Sequence, residues 1–411
     1  MKILFLQDDF PPNASGGAGI VAATLARELV KRGHELTVIT SVQDKALAGS
    51  FREEGMHIER IYSDYMPRWR SWLSLYNPAT VSRVKEILAE VKPAVVHAHN
   101  VHYHLSYWTL RLAKKRGAKV FLTAHDVMLF HYGKLTENMP KDCEAPRNYR
   151  VDAWQQLRRY RFWYNPFRNL AIRLLVKNVD RIFAVSEALK DALEQNGIKN
   201  IDVIHNGINT DDWEVSPEMV RVFVREHGLE SKKVILFGGR ISAAKGGDVM
   251  LGALIKIIVE EPSALLLLVG KRDAYVDRLL QRAEEKEIGE HVVSTGWISG
   301  DSLKAAYHAA TIVVAPSQYL DPLPTVVLEA MVCGKPVVGS CLGGIPEMVV
   351  DSETGYVANP FDASAIADKV VSLLGNPDVA ARMGSRATAR AENEFSLEAQ
   401  VLSLLRAYTY K

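Results

Sequence analysis

Two cations stand five positions apart in Gly239-Arg240-Ile241-Ser242-Ala243-Ala244-Lys245-Gly246, directly after the apolar run Val234–Phe237. A guanidinium offers a planar fork of donors and an ammonium a compact charge, a combination that suits a diphosphate. With a helix N-terminus beside them, Arg240 and Lys245 can stabilise negative charge as it develops on a leaving group. Two carboxylates, Asp321 and Glu329, lie eight positions apart in Asp321-Pro322-Leu323-Pro324-Thr325-Val326-Val327-Leu328-Glu329-Ala330-Met331. The first is in a loop and the second inside a helix that begins near Thr325. Such a start offers unpaired N–H groups to phosphate or sugar hydroxyls, and Glu329, one turn in, can accept hydrogen bonds from a ribose diol. The apolar residues around it (Val326, Val327, Leu328, Met331) argue against a plain solvent-facing position.

A third candidate is Gly16-Gly17-Ala18-Gly19. Gly17 to Ala22 matches G-x-G-x-x-A, but the loop Asp8–Ser15 separates it from the first strand, and the next strand ends Ile39-Thr40-Ser41 without an acid for a ribose. These departures argue against a dinucleotide cofactor. Two readings stay open: a backbone that approaches an anion at the start of the helix Val21–Lys31, or a tight turn. No metal-ligand spacing and no Asp-x-Asp appear, so neither metal nor prosthetic group is expected. Cys143, Cys333 and Cys341 form no repeated pair and read as reduced cytosolic thiols.

These groups need a scaffold. Short apolar strands alternate with amphipathic helices along the chain, the pattern of parallel α/β layers. The first half holds expected strands Lys2–Leu6, Leu36–Thr40, Ala94–His97, Val120–Thr123, Arg181–Val185 and Val203–His205. The second holds Val234–Phe237, Leu265–Val269, Val292–Thr295, Ile312–Ala315 and Pro336–Gly339. At 411 residues, 48% hydrophobic and 24% charged, the chain fits two globular domains. The turn-forming stretch at Asn206-Gly207-Ile208-Asn209 divides them. The expectation is residues 1–208, with an excursion over 127–178, then 209–390, then a C-terminal helix in 391–411 that crosses back to the first domain. Two facing doubly wound domains leave a cleft beyond the carboxyl ends of their strands.

The stretch Asp321 through Val338 resembles glycosyltransferase family 4, whose pattern is two glutamates separated by seven residues within Glu-Pro-Phe-Gly-Leu-Val-x-Leu-Glu-Ala-Met-Ala-Cys-Gly-x-Pro-Val-Val. Other blocks agree in order: Gly16-Gly17, His97-Ala98-His99, Thr123-Ala124-His125-Asp126, Gly239-Arg240, Lys245-Gly246, Thr295-Gly296-Trp297 and Gly343-Gly344-Ile345-Pro346-Glu347. The resemblance implies the GT-B fold, two Rossmann-like domains with an interdomain cleft, and retaining transfer from a nucleotide sugar to a glycan or lipid-linked acceptor. It implies that Arg240 and Lys245 hold the diphosphate, helped by backbone near Gly16 and Gly17. Glu329 binds the ribose, His125 sits near the anomeric carbon, and Asp321 contacts a sugar hydroxyl. Leu323, Pro324 and Thr325 line the donor, and the base rests near Trp297 and Ile298. His97 and His99 are expected to be structural or acceptor-side. The chain departs from the pattern where Asp321 replaces the first glutamate and Leu323-Pro324 replaces Phe-Gly, with Pro324 lacking an N–H. These departures keep a nucleotide-sugar binder with little turnover, or an epimerase of the same fold, as alternatives.

Charge is uneven: residues 1–208 carry 30 Lys+Arg against 21 Asp+Glu, the remainder 20 against 27. Within 147–177, Arg147, Arg150, Arg158, Arg159, Arg161, Arg168, Arg173 and Lys177 face one acid, Asp152, and alternate with aromatics; Arg68-Trp69-Arg70-Ser71-Trp72 is similar. Such mixtures suit an anionic lipid interface; a packed lid is the structural alternative, and nucleic acid is not expected. Neither a signal peptide nor a membrane-spanning run is read from the sequence. The expected location is cytoplasmic, peripheral on the inner face of the membrane.

Overall fold

The computed structural model describes residues 1–12 and 16–409. The chain divides into two compact units. The first comprises residues 1–135, 149–206 and 399–411; the second comprises 136–148 and 207–398. The excursion over 127–178 is therefore split: residues 136–148 belong with the second unit, a correction to its assignment to the first domain. Helix Leu397–Thr409 runs from one unit into the other.

The first sheet contains, in chain order, β1 (Lys2–Leu6), β2 (Glu35–Val42), β3 (Gly49–Glu53), β4 (Met56–Tyr62), β5 (Val95–Ala98), β6 (Lys119–Ala124), β7 (Arg181–Ala184) and β8 (Ile201–Val203). Their spatial order is β3-β4-β2-β1-β5-β6-β7-β8, all parallel except β3 against β4. The chain builds outward from β1 in one direction and then restarts at β5 in the other. The β3–β4 hairpin was not legible in the sequence because β3 is exposed along its whole length and so lacks an apolar face. Its turn is local chemistry, with Glu54 and Gly55 both at positive φ (50° and 77°).

The second sheet contains β9 (Lys233–Gly238), β10 (Ala264–Val269), β11 (Val292–Gly296), β12 (Ile312–Ala315), β13 (Val337–Ser340) and β14 (Gly355–Ala358), in the spatial order β11-β10-β9-β12-β13-β14. β10, Ala-Leu-Leu-Leu-Leu-Val, is buried at every position, as a strand covered by helices on both faces must be. Ile235, Phe237, Leu266, Leu268, Ile312 and Val314 meet Leu254 and Ile257 of helix Gly247–Glu260 in one core. The switch point, where neighbouring strands send the chain to opposite sides, lies between β9 and β12. A crevice forms outside the strand ends at such a point, and here it receives the loops that carry Arg240, Lys245 and Asp321.

Candidate active site

The loop after β9 bends at Gly239, where φ is +93°, and passes the exposed Arg240. It then tightens into the 3-10 turn Ala243–Lys245. Gly246 follows with φ +88°, and a Cβ there would sit 2.2 Å from the Pro316 carbonyl oxygen, so only glycine allows this loop to lie against the one after β12. Gly246 also caps the N-terminus of helix Gly247–Glu260, with no side chain bonded to that end.

Lys245 Nζ lies 2.5 Å from Asp321 Oδ2, and Ser317 Oγ donates to the same oxygen at 2.7 Å. Burial alone would lower the lysine's pKa, but the Asp321 carboxylate and the Tyr319 hydroxyl outweigh it and hold the ammonium well above its usual value. Both side chains are nearly enclosed, 16% and 6% exposed, so each charge depends on the other. The Asp321 backbone is gripped in turn: Gly344 N–H donates to its carbonyl at 2.9 Å, and a Cβ on Gly343 would strike that oxygen at 2.2 Å. Arg240 differs, for its guanidinium has no ion-pair or hydrogen-bond partner among the described residues and its charge faces outward.

Glu329, half-buried within helix Thr325–Val332, accepts a 2.6 Å hydrogen bond from the Tyr307 hydroxyl. Burial raises its pKa against the opposing pull of Tyr307, Thr325 and Lys245. Tyr307 is buried beneath Trp213, whose ring meets it edge-on at 5.4 Å. Leu323 and Pro324 are buried, Thr325 is half-buried, and Pro324 occupies the cap position without a side-chain cap. Trp297, 61% exposed, and Ile298 follow β11 where Gly296 turns at φ +70°. Arg240, Lys245, Asp321, Leu323, Pro324, Thr325 and Glu329 thus follow the two strands at the switch point, with Trp297 and Ile298 two strands away. Sequence reasoning assigned no role to Ser317, Tyr307 or Tyr319, since the partner of a serine or tyrosine in a core helix or loop carries no spacing signal.

In the first unit, His125 follows β6, and its Nε2 lies 2.9 Å from His99 Nδ1. Burial lowers the His125 pKa to about 4, so the ring is neutral near pH 7. A narrow cavity beside it is lined by His99, His102, Tyr107, Asp126 and Leu129. Gly16 caps helix Gly17–Lys31 in an extended conformation and receives no side-chain cap; residues 13–15 of the preceding loop lie outside the described residues. Asp8, before that loop, accepts backbone N–H bonds from Tyr103, His104 and Leu105 at 2.7 to 2.8 Å and holds the loop after β5.

Two further readings change. Cys143 and Cys341 form a disulfide, 198 residues apart in sequence and 5.5 Å apart between Cα atoms, while Cys333 is free and buried. The pair was invisible because only folding brings residues 136–148 beside β13, and it withdraws the unpaired-thiol ground for a cytosolic location. The basic segment 147–177 is not a uniform surface. Arg168 is fully buried and bonded to the Met128 carbonyl, Tyr149 and Tyr164 are in the core, and Arg147 donates to the Cys143 and Cys341 carbonyls. No group of metal-ligating side chains occurs among the described residues, and no helix among them is long and apolar enough to cross a membrane.

Comparison with known proteins identifies the family and the fold. Residues 15–212 match the family model Glycosyltransferase Family 4, and residues 221–390 match Glycosyl transferases group 1. The chain belongs to glycosyltransferase family 4. An uncharacterised glycosyltransferase of Methanocaldococcus jannaschii is 28% identical over 91% of this chain and 90% of its own length. Sucrose-phosphate synthase from Thermosynechococcus elongatus superposes with a TM-score of 0.79 at 21% identity, over 99% of this chain and 98% of that one. Anabaena HepE in complex with UDP-glucose gives 0.75 at 21%, over 99% of both chains. These folds are GT-B, and the present chain shares it.

Proposed function

We propose that this family 4 glycosyltransferase uses a nucleotide sugar and transfers its hexose, with retention, to a glycan or lipid-linked acceptor in cell-surface polysaccharide or glycolipid synthesis. The observation that carries the donor is the exposed, unpaired Arg240 beside the clamped Lys245 at the switch point of the second sheet. The clamped Lys245, the outward-facing Arg240 and the open N-terminus of helix Gly247–Glu260 neutralise a departing nucleoside diphosphate and take the part a divalent metal plays elsewhere. Glu329, steadied by Tyr307, accepts from the ribose hydroxyls, and Trp297 and Ile298 flank the base. His125 is assigned to the donor sugar by the family resemblance, with Gly16 and Gly17 contributing backbone. HepE was crystallised with UDP-glucose, which supports a donor of that class. Thermal-shift screening against UDP-, GDP-, ADP- and dTDP-sugars, followed by assay of nucleoside diphosphate release, tests the donor. No shift and no release with any of them sinks it, and NMR of the product's anomeric centre tests retention.

A second reading, a binder with little turnover, draws on Asp321. Its carboxylate is already engaged by Lys245 and Ser317, which competes with a contact to a sugar hydroxyl. A thermal shift without diphosphate release in the presence of acceptors would favour it.

For the acceptor, we infer contact with an anionic membrane through one face of the first unit. The turn Pro67–Trp69 packs beside the turn Arg161–Trp163. Phe162 is 98% exposed, and Trp69, Trp72, Trp154, Phe167 and Leu170 are also exposed, as are the cations Arg68 and Arg161 in the same turns and Arg158 in helix Ala153–Tyr160. Rings at headgroup depth and cations against lipid phosphates fit this composition. Co-sedimentation at low salt with phosphatidylglycerol vesicles, but not with phosphatidylcholine, is expected. Phe162→Ser with Trp69→Ser should weaken it several-fold, whereas equal recovery with both vesicle types would overturn the inference.

A further inference from the structure

His99 directly follows β5 and His125 directly follows the neighbouring β6, and their side chains share one hydrogen bond, His99 Nδ1 to His125 Nε2 at 2.9 Å. The His99 ring is held on its other side by His97, stacked at 4.4 Å, and by Phe5, whose ring centre is 5.0 Å away. His97 is anchored through Nδ1 to the Tyr408 hydroxyl and through Nε2 to Thr123 Oγ1 at 2.8 Å. His99 therefore cannot turn to offer another atom to His125 without breaking this packing.

Both rings are neutral, since burial holds the His99 pKa well below its ordinary value and that of His125 at about 4. One ring must then donate and the other accept. If His125 donated from Nε2, His99 would carry its proton on its own Nε2, which is buried and has no hydrogen-bond partner among the described residues. A buried N–H without an acceptor is rarer and costlier than an acceptor with an unused lone pair. The reverse arrangement leaves His99 Nε2 as a bare acceptor and places the His125 proton on Nδ1, the ring nitrogen outside the bond. His125 is half-buried, and Nδ1 makes no hydrogen bond to the described residues.

We propose that His99 is a positioning residue that donates from Nδ1 to Nε2 of His125, so that His125 presents a neutral Nδ1–H donor to the hydroxyls of the donor sugar. This rests on the assignment of His125 to that sugar. The tautomer follows from the two rings alone, so the two ideas fail separately.

The test begins without substrate. In the full chain labelled with 15N in the imidazole rings, with the His125 signal identified by its loss in His125→Gln, the proton is expected on Nδ1. A proton on Nε2 would overturn the proposal. His99→Asn, whose amide can donate from nearly the Nδ1 position, should keep that tautomer, whereas His99→Leu should leave a mixture. An unchanged tautomer in His99→Leu also overturns it. With the nucleotide sugar found by the thermal-shift screen, His99→Leu should lower kcat about tenfold, the effect of one weakened transition-state hydrogen bond, with little change in donor KM. His99→Asn should recover most of that loss. If the tautomer follows His99 but kcat does not, the tautomer assignment stands and the placement of His125 at the reacting sugar fails.

Discussion

Arg240 and Lys245 share a sign and a loop, yet removing them should have different consequences. Arg240 is exposed and pairs with nothing among the described residues, so Arg240→Ala should leave folding unchanged while turnover falls on the order of a hundredfold. Lys245→Ala should lose a similar amount of turnover but also strand the Asp321 carboxylate in a nearly closed site. Stranding a buried charge costs about 3 kcal/mol, which urea denaturation can read. If both variants denature at the wild-type urea concentration, the ion pair is not the support described above. If Arg240→Ala keeps full turnover, the donor assignment is wrong.

At the scale of elements, the site depends on loops that touch through glycine. Gly246 has φ +88° and faces the Pro316 carbonyl, while Gly343 has φ +67° and faces Asp321. Gly246→Ala should push the Lys245 turn away from Ser317 and Asp321, at a cost of about 1–3 kcal/mol for the strained backbone. Donor affinity, measured by isothermal titration, should fall about tenfold or more, since two cations displaced together no longer fit one diphosphate. An affinity within twofold of wild type would mean that the loop tolerates a Cβ and that the close approach is not required. In the excursion, helix Ala153–Tyr160 is closed by a capping box between Asp152 and Gln155, and Arg168 pins the Met128 carbonyl from below. The packed lid and the exposed face are thus both present, on opposite sides of the same helices.

Two predictions concern the whole molecule. In the folded chain, burial pulls the His97 pKa to about 3 and those of His104 and His125 to about 4, from an ordinary imidazole value of 6.5. Between about 4 and 6.5 the unfolded chain binds more protons than the folded one, so stability is fully present above pH 6.5 and declines as the pH falls toward 4. Urea midpoints at pH 7.0, 5.5 and 4.5 should drop in that order; a flat profile would show that these rings are hydrated. The disulfide closes a separation of 198 residues. Its reduction by dithiothreitol, or Cys143→Ser, should therefore lower stability by about 2–4 kcal/mol. Equal urea curves for oxidised and reduced protein would contradict this.

Much of the molecule was legible from residue order. Ten of the eleven expected strands match observed ones over most of their length, to within one or two residues at each end, because buried parallel strands must be continuous apolar runs and the residues of the switch-point loops interrupt them with glycine and charge. The last strand of the first sheet, expected at Val203–His205, is instead Ile201–Val203, and β14 was not anticipated. The chemical types at Arg240, Lys245, Asp321 and Glu329 could be read from the sequence because each chemistry needs a particular donor or acceptor at a particular spacing. Their partners could not. That Lys245 is locked to Asp321, that Glu329 leans on Tyr307, that His99 meets His125 and that Cys143 reaches Cys341 are all contacts between residues distant in sequence. Local propensity and period carry no information about such pairs. They are decided when the sheets assemble, because only then is each buried polar group obliged to find the neighbour that offsets its loss of water.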